Sequence, residues 1–182
     1  MSEQNDEVLV RKCIGGDRGA FEVLVEKYQG PLFNLALRMT QEYADAEDIT
    51  QSAFLKAYES LSSFKPDRKF FSWLYRIAVN ETLNYLRGKR HQEPLNEEMA
   101  AEDADGSQEI ARGEASAQID EALMDLNLEY RTVVVLKHLM ELPYADISQI
   151  LDIPVKTVKS RLFSARIRMR EFLVQKGVRL DD

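Results

Sequence analysis

One cysteine, one tryptophan and two histidines in 182 residues remove several chemistries at the outset. Cys13 has no second cysteine to pair with, so no intrachain disulfide can form, and His91 with His138 gives no metal-ligand cluster of recognisable spacing. Cys13, beside Ile14 on an expected helix, reads as a small core residue, whereas a redox sensor would need surroundings that favour the thiolate. Long apolar runs are also missing. None approaches the roughly 20 residues that span a bilayer, and the acidic opening Met1-Ser2-Glu3-Gln4-Asn5-Asp6-Glu7 does not read as a signal sequence, so the cytoplasm is the expected location and no membrane insertion is expected. Glycine is sparse and badly placed for phosphate: Gly15-Gly16-Asp17-Arg18-Gly19 lacks both a preceding strand and a following Lys-Ser/Thr. No cofactor is called for. Cations are outnumbered too, 24 against 31 acids for a net charge of −7, and no strand-like alternation competes with the helical periods below.

Against that acidic background, Pro154 to Arg179 holds eight Lys or Arg and the single acid Glu171. Tyr144 to Leu151 reads as one short helix and Val155 to Phe172 as a longer one. Asp152-Ile153-Pro154 lies between them as the turn of a helix-turn-helix. On the second helix Val155, Val158, Leu162, Ala165, Met169 and Phe172 recur at intervals of three and four and form a buried stripe. Lys156, Ser160, Phe163, Ser164 and Ile167 face the other way. They are flanked by Lys159, Arg166 and Arg170 on one side and by Arg161 and Arg168 on the other. A strip of reading side chains between cationic rails suits the major groove of duplex DNA. A terminal helix with a solvated basic face is the plain alternative.

Glu7 to Ile14 forms a short helix closed by Gly15-Gly16, and Asp17 is placed to cap the next helix through Phe21, Leu24, Val25 and Tyr28. Gly30-Pro31 then breaks the pattern, with Pro31 suited to a first helical position and Leu32, Leu35, Ala36 and Met39 continuing in a new helix. Asp45-Ala46-Glu47-Asp48 opens a helix to about Leu61, with acids where the helix dipole favours them. The same carboxylates suit a divalent metal only if a second ligand group completes the site, and none is marked out.

Between Ser63 and His91 seven cations (Lys65, Arg68, Lys69, Arg76, Arg87, Lys89, Arg90) meet two acids and are interleaved with Phe64, Phe70, Phe71, Trp73, Tyr75 and Tyr85. Aromatic rings beside phosphate-neutralising charge hold unpaired bases. Phe70, Trp73, Leu74, Ile77 and Leu83 also satisfy a plain core reading, so the informative segment is Phe64-Lys65-Pro66-Asp67-Arg68-Lys69, which has no helical period. Gln92 to Ala117 carries eight acids against Arg112 and reads as a flexible acidic tether. Gln118 to Leu126 and Glu129 to Met140 then form two helices, with His138 in the core or at its rim rather than as a ligand. The expectation is an all-α chain of two small helical domains, 1–91 and 118–182, joined by a linker over 92–117.

Three stretches resemble motifs of one family, the extracytoplasmic-function sigma factors of bacterial RNA polymerase, in its envelope-stress type. Asp45-Ala46-Glu47-Asp48-Ile49-Thr50-Gln51-Ser52-Ala53-Phe54 is similar to the family's polymerase-binding helix. Phe70-Phe71-Ser72-Trp73-Leu74-Tyr75-Arg76-Ile77-Ala78-Val79-Asn80 resembles its helix for the −10 element. Ile153-Pro154-Val155-Lys156-Thr157-Val158-Lys159-Ser160-Arg161-Leu162 resembles its helix for the −35 element. The sequence departs from the pattern at Ser52, where an acid is usual, at Lys156 and Asp152, where glycine is common, and at Ser164, where an arginine often stands.

The resemblance implies a sigma2-like domain and a sigma4-like helix-turn-helix domain that initiate transcription at chosen promoters without catalysis. It assigns −35 reading to Lys156, Lys159, Ser160, Phe163 and Ser164, and phosphate contacts to Arg161, Arg166, Arg168 and Arg170. The −10 element and its melting fall to Phe64, Lys65, Arg68, Lys69, Trp73, Arg76 and Asn80, with Phe64 as a stacking ring and Asn80 at a base-pocket position; the rival reading makes Phe64 a core residue. Polymerase binding falls to Asp45, Glu47, Asp48, Gln51 and Phe54. The implied partners are core RNA polymerase, through the clamp of its largest subunit and the flap of its second-largest, promoter DNA in double- and single-stranded form, and a membrane-anchored anti-sigma factor, which usually holds the envelope-stress type inactive. The rival reading is a one-component helix-turn-helix repressor with an N-terminal sensing domain, which would dimerise on a palindrome.

Overall fold

The computed structural model describes residues 3–65, 69–92 and 114–178, and every regular element among them is helical. The N-terminal half holds α1 (Glu3–Ile14), α2 (Arg18–Thr40), α3 (Tyr43–Ser60), a single 3-10 turn at Leu61–Ser63 and α4 (Phe70–Gln92). The C-terminal half holds α5 (Glu114–Asp125), α6 (Leu128–Val134) running on into a π turn at Val135–Leu139, α7 (Tyr144–Leu151) and α8 (Val155–Gln175). The expected linker is therefore shorter at its end, because Glu114 to Ala117 already belong to α5. The acids from Glu93 to Glu109 lie outside the described residues.

Gly16, at a φ of 95°, closes α1, and Asp17 accepts the Ala20 amide to cap α2. Cys13 is half-buried against the core, and burial followed by the nearby Asp17 charge raises its thiol pKa, which keeps the sulfur protonated. The predicted break at Gly30-Pro31 does not occur: α2 runs through Pro31 without interruption. An interior proline costs about 3 kcal/mol in a helix. Leu24 and Tyr28 before it and Leu32, Leu35, Ala36 and Met39 after it lie in one continuous buried stripe. Burying each large side chain contributes about 2 kcal/mol, so the stripe outweighs the lost bond. The buried carboxylate of Asp6 accepts from Lys27 and Tyr28 and fastens α1 to α2.

The two halves share one hydrophobic cluster, from Leu24, Leu35, Met39 and Leu74 on one side to Leu123, Leu136, Ile147 and Leu162 on the other. Polar contacts cross the same boundary. The buried Arg131 donates to the carbonyls of Met39 (2.9 Å), Met124 (2.6 Å) and Leu126 (3.2 Å), and so caps the C-terminal ends of α2 and α5 together. Burial also pulls the Arg131 pKa below its ordinary value. Arg38 pairs with Asp120 at 3.2 Å beside it.

Candidate nucleic-acid interface

The helix-turn-helix forms where the sequence places it. Asp152 takes the left-handed conformation, φ 55° and ψ 43°, and ends α7, and Ser148 Oγ donates to the Ile153 carbonyl to hold the turn. Val158, Leu162 and Ala165 bury the inner face of α8. Val155 does not join them; it is 38% exposed in the first turn of α8. Lys156 and Ser160 are exposed, Ser164 is half-buried, and Phe163 is 66% exposed at the middle of the outward strip, with Ile167 beside it. Phe163 and Ile167 thus form a small apolar strip among the cations of this face.

The rail cations are held rather than loose. Lys159 lies over the ring of Tyr144, and Arg168 over the ring of Tyr130, with the charge 5.5 and 5.3 Å from the ring centres. Arg161, the most buried of them, pairs with Glu129 at 2.9 Å. Arg166 Nη2 lies 3.0 Å from His138 Nε2. Burial, then Arg166 and Lys137, lower the His138 pKa, so the neutral ring accepts from the guanidinium. The histidine that sequence reading placed in the core or at its rim is thus an exposed partner of a rail cation.

Lys69, just before α4, and Trp73, Arg76 and Asn80 on it follow at intervals of four, three and four, and therefore share one face. Lys65 and Asn80 are exposed and Trp73 is half-buried. With Ser63, Ser72, Ile77, Gln149 and Asp152 these residues line a cleft of about 830 Å³ between α4 and α7. Ser72 Oγ is buried in that wall without a hydrogen-bond partner. Phe64 corrects the expectation of a free stacking ring. It is 6% exposed and sits edge-on to Phe70 and Trp73, with ring centres 5.8 and 5.4 Å away. The ring follows the 3-10 turn at Leu61–Ser63 and closes the core there. Arg68 lies outside the described residues.

On α3, Glu47, Asp48 and Gln51 are exposed, as expected for a binding face. Asp45 is half-buried and occupied by Lys89 at 3.1 Å and by Tyr85, whose pKa the shared hydrogen bond to Asp45 raises. Phe54 corrects a second expectation: at 9% exposure its ring faces Phe21 in the core. The apolar contribution to this surface comes instead from Leu55, 64% exposed, and Tyr58, 48% exposed. Residues 48, 51, 55 and 58 recur at intervals of three and four, a period that pointed outward as plainly as the core period points inward.

The family model described as sigma-70 region 2 matches residues 24–92, and that of sigma-70 region 4 matches residues 116–169. The chain is 35% identical to the RNA polymerase sigma-H factor of Pseudomonas aeruginosa, over 91% of this chain and 92% of the relative. It is 37% identical to the ECF sigma-E factor of Haemophilus influenzae (91% of this chain, 94% of the relative) and 37% identical to the ECF sigma factor SigW of Bacillus subtilis (92% and 98%). Its fold is that of CnrH, solved in complex with the cytosolic domain of CnrY, at a TM-score of 0.73 and 24% identity over 94% of this chain and 98% of that one. The sigma factor RpoE solved with the anti-sigma factor NepR from Bartonella quintana has the same fold at a TM-score of 0.68 and 23% identity, over 84% and 96%.

Proposed function

The chain belongs to the extracytoplasmic-function sigma factors, which direct RNA polymerase to promoters, and on that premise we propose how its own residues divide the work. The observation that carries the proposal is the row of Trp73, Arg76 and Asn80 on one face of α4, continued by Lys69 just before it and set apart from the cationic outward face of α8. Two basic faces of different character suit two states of DNA.

The α8 face, with Phe163 between Lys156, Lys159, Ser160 and Ser164, meets base edges in the −35 major groove while Arg161, Arg166, Arg168 and Arg170 hold phosphates. The α4 face takes the −10 element as a single strand. Extracting a base from the stack costs a few kcal/mol, and a replacement aromatic contact returns about 1–3 kcal/mol. Trp73, half-buried in the cleft wall, is the ring best placed to offer that contact, Phe64 supports it from beneath, and Asn80 supplies edge hydrogen bonds. Lys65, Lys69 and Arg76 neutralise the flanking phosphates. Asp48, Gln51, Leu55 and Glu47 form the polymerase-binding face on α3.

The protein performs no catalysis of its own and works in the cytoplasm. Among the described residues no helix is long and apolar enough to cross a membrane. The same fold is solved in complex with CnrY's cytosolic domain and with an anti-sigma factor, which supports an anti-sigma factor, itself membrane-anchored, as this chain's regulator. Transcription in vitro with core polymerase tests the whole reading. Promoter-dependent transcripts are expected only when the chain is added; a repressor would instead lower transcription from a template on which a complete holoenzyme already initiates.

A further inference from the structure

The cleft between α4 and α7 carries more chemistry than a phosphate track requires. Its volume of about 830 Å³ lies within the roughly 300–1,000 Å³ of small-molecule sites, and its lining gathers three cations, Lys65, Lys69 and Arg76, in a chain of net charge −7. An anion is drawn there. Trp73 is held by Phe64 and Phe70, with ring centres 5.4 and 5.6 Å away, so a flat ring can stack on it without the cost of ordering the indole. Two exposed amides belong to the same lining, Asn80 on α4 and Gln149 on α7, each able to donate and accept at the edge of a base.

Two further groups suit a free ribonucleotide better than a strand of DNA. Asp152 lies in the lining, where its charge repels a phosphodiester; it accepts Arg76 Nη2 at Oδ2 (2.9 Å) and retains acceptor sites for sugar hydroxyls, the use made of a carboxylate in dinucleotide sites. Deoxyribose within a strand has no such hydroxyl to offer, because it lacks the 2′ group and its 3′ oxygen is esterified. Ser72 is 5% exposed in the cleft wall, and among the described residues its hydroxyl has no hydrogen-bond partner. Such a group calls for an acceptor, and a ligand oxygen in the cleft supplies one.

We propose that this cleft is a binding site for a free ribonucleoside di- or triphosphate. The base stacks on Trp73 with its edge on Asn80 and Gln149, the ribose hydroxyls donate to Asp152, and Lys65, Lys69 and Arg76 hold the phosphates while Ser72 donates from the wall. Asp146, 3.6 Å from Lys69, weakens one of these contacts, but the three cations still outnumber Asp146 and Asp152. Binding does not depend on the −10 assignment. Its consequence does: Lys69, Trp73 and Arg76 are also assigned above to the opened strand, so the nucleotide competes with that strand and ties promoter opening to the supply of a small metabolite.

The test uses the full chain without polymerase or DNA. ADP and GDP are titrated by calorimetry and by the fluorescence of Trp73, the sole tryptophan, beside their 2′-deoxy counterparts and inorganic pyrophosphate. The expected result is saturable binding of at least one ribonucleotide with quenching of Trp73, weaker by about threefold or more for its 2′-deoxy form and by about tenfold or more in Arg76→Ala. Ser72→Ala should weaken binding by about threefold while leaving the melting temperature at or above the parent value, since the change removes a buried hydroxyl that has no partner. Pyrophosphate matching the nucleotides, or a 2′-deoxy form matching its ribonucleotide, overturns the ribonucleotide as ligand. No binding of either nucleotide, or binding unmoved by both substitutions, overturns the site. The −10 assignment is judged apart, by the Asn80→Ala footprint described below.

Discussion

Arg131 and Met39, 92 positions apart in sequence, are joined by a 2.9 Å hydrogen bond from guanidinium to main-chain carbonyl. The same guanidinium serves two carbonyls at the end of α5, so one buried side chain satisfies acceptors from both halves. Arg131→Ala leaves those acceptors without a partner, and each unsatisfied buried group costs about 1–3 kcal/mol. The expected loss is on the order of 3 kcal/mol in urea unfolding, with Arg131→Lys recovering part of it because an ammonium lacks the fork that reaches both helices. A midpoint unchanged by Arg131→Ala would show that the crossing contact contributes nothing.

The two sets of residues on α8 separate by their salt and sequence dependence. Arg166→Ala should weaken binding to all duplexes alike and lower the slope of log affinity against log salt by about one unit. Lys156→Ala or a change at Ser160 should alter base preference at the −35 element and leave other sequences nearly unaffected. If binding selections show base preference moving with Arg166 and not with Lys156, the faces are assigned the wrong way round.

His138 gives Arg166 a pH dependence. Its pKa is lowered in the fold by burial and by Arg166 and Lys137, so the unfolded chain takes up the proton more readily. The neutral ring therefore contributes stability that is full above the unfolded value of 6.5 and is lost as pH falls below it toward the folded value. His138→Gln removes that loss, and the two proteins should diverge in melting temperature below about pH 6.5. Bound phosphate reverses the preference and favours the protonated ring, so duplex affinity should rise on acidification in the parent chain more than in His138→Gln. Parallel pH profiles for the two proteins would exclude the coupling.

For the polymerase-binding face, D48A with Q51A should reduce recovery of core polymerase in a pull-down without changing the melting curve, because both side chains are exposed. Leu55→Ser should act in the same direction, since a well-exposed leucine contributes little to the fold, whereas covering it at an interface removes apolar surface from water. Undiminished recovery with all three changed would move the contact elsewhere.

Phe64 and Asn80 line the same region and should fail in different ways. Phe64→Ala removes a core ring, with an expected cost of about 3–5 kcal/mol, and disturbs opening only as a secondary effect of losing support for Trp73. Asn80→Ala, at an exposed position, should leave the melting curve and closed-complex binding unchanged while permanganate reactivity of the −10 thymines falls. A normal footprint with Asn80→Ala would end its role in base capture.

Helix-turn-helix boundaries were legible because each carried its own chemistry: an apolar stripe that ran from Val158 to Ala165, a proline opening α8, and Asp152 at a left-handed position. The break expected at Pro31 failed since a local rule met a longer stripe that continued through it. Phe54 and Phe64 were misplaced for different reasons: Phe54, between Ala53 and Leu55, was given a binding role only by the resemblance of its whole stretch, whereas Phe64 stands beside Lys65 in a segment without helical period, and only the packing of Phe21, Phe70 and Trp73 around them shows the rings turned inward. The meeting of Asp146 with Lys69, and of Asp152 with Arg76, had no local signal at all. Each pair joins residues more than seventy positions apart, and ordinary surface charges become partners only through the docking of α7 on α4.

That separation also sets a timing. Asp152 is 76 positions downstream of Arg76, and a ribosome adding about 5–20 residues per second needs roughly 4–15 seconds to cover the distance. During that interval Arg76 has been made and Asp152, its partner across the cleft, has not. The ion pair that joins α4 to the helix-turn-helix is therefore a late contact, made only after synthesis has passed the turn.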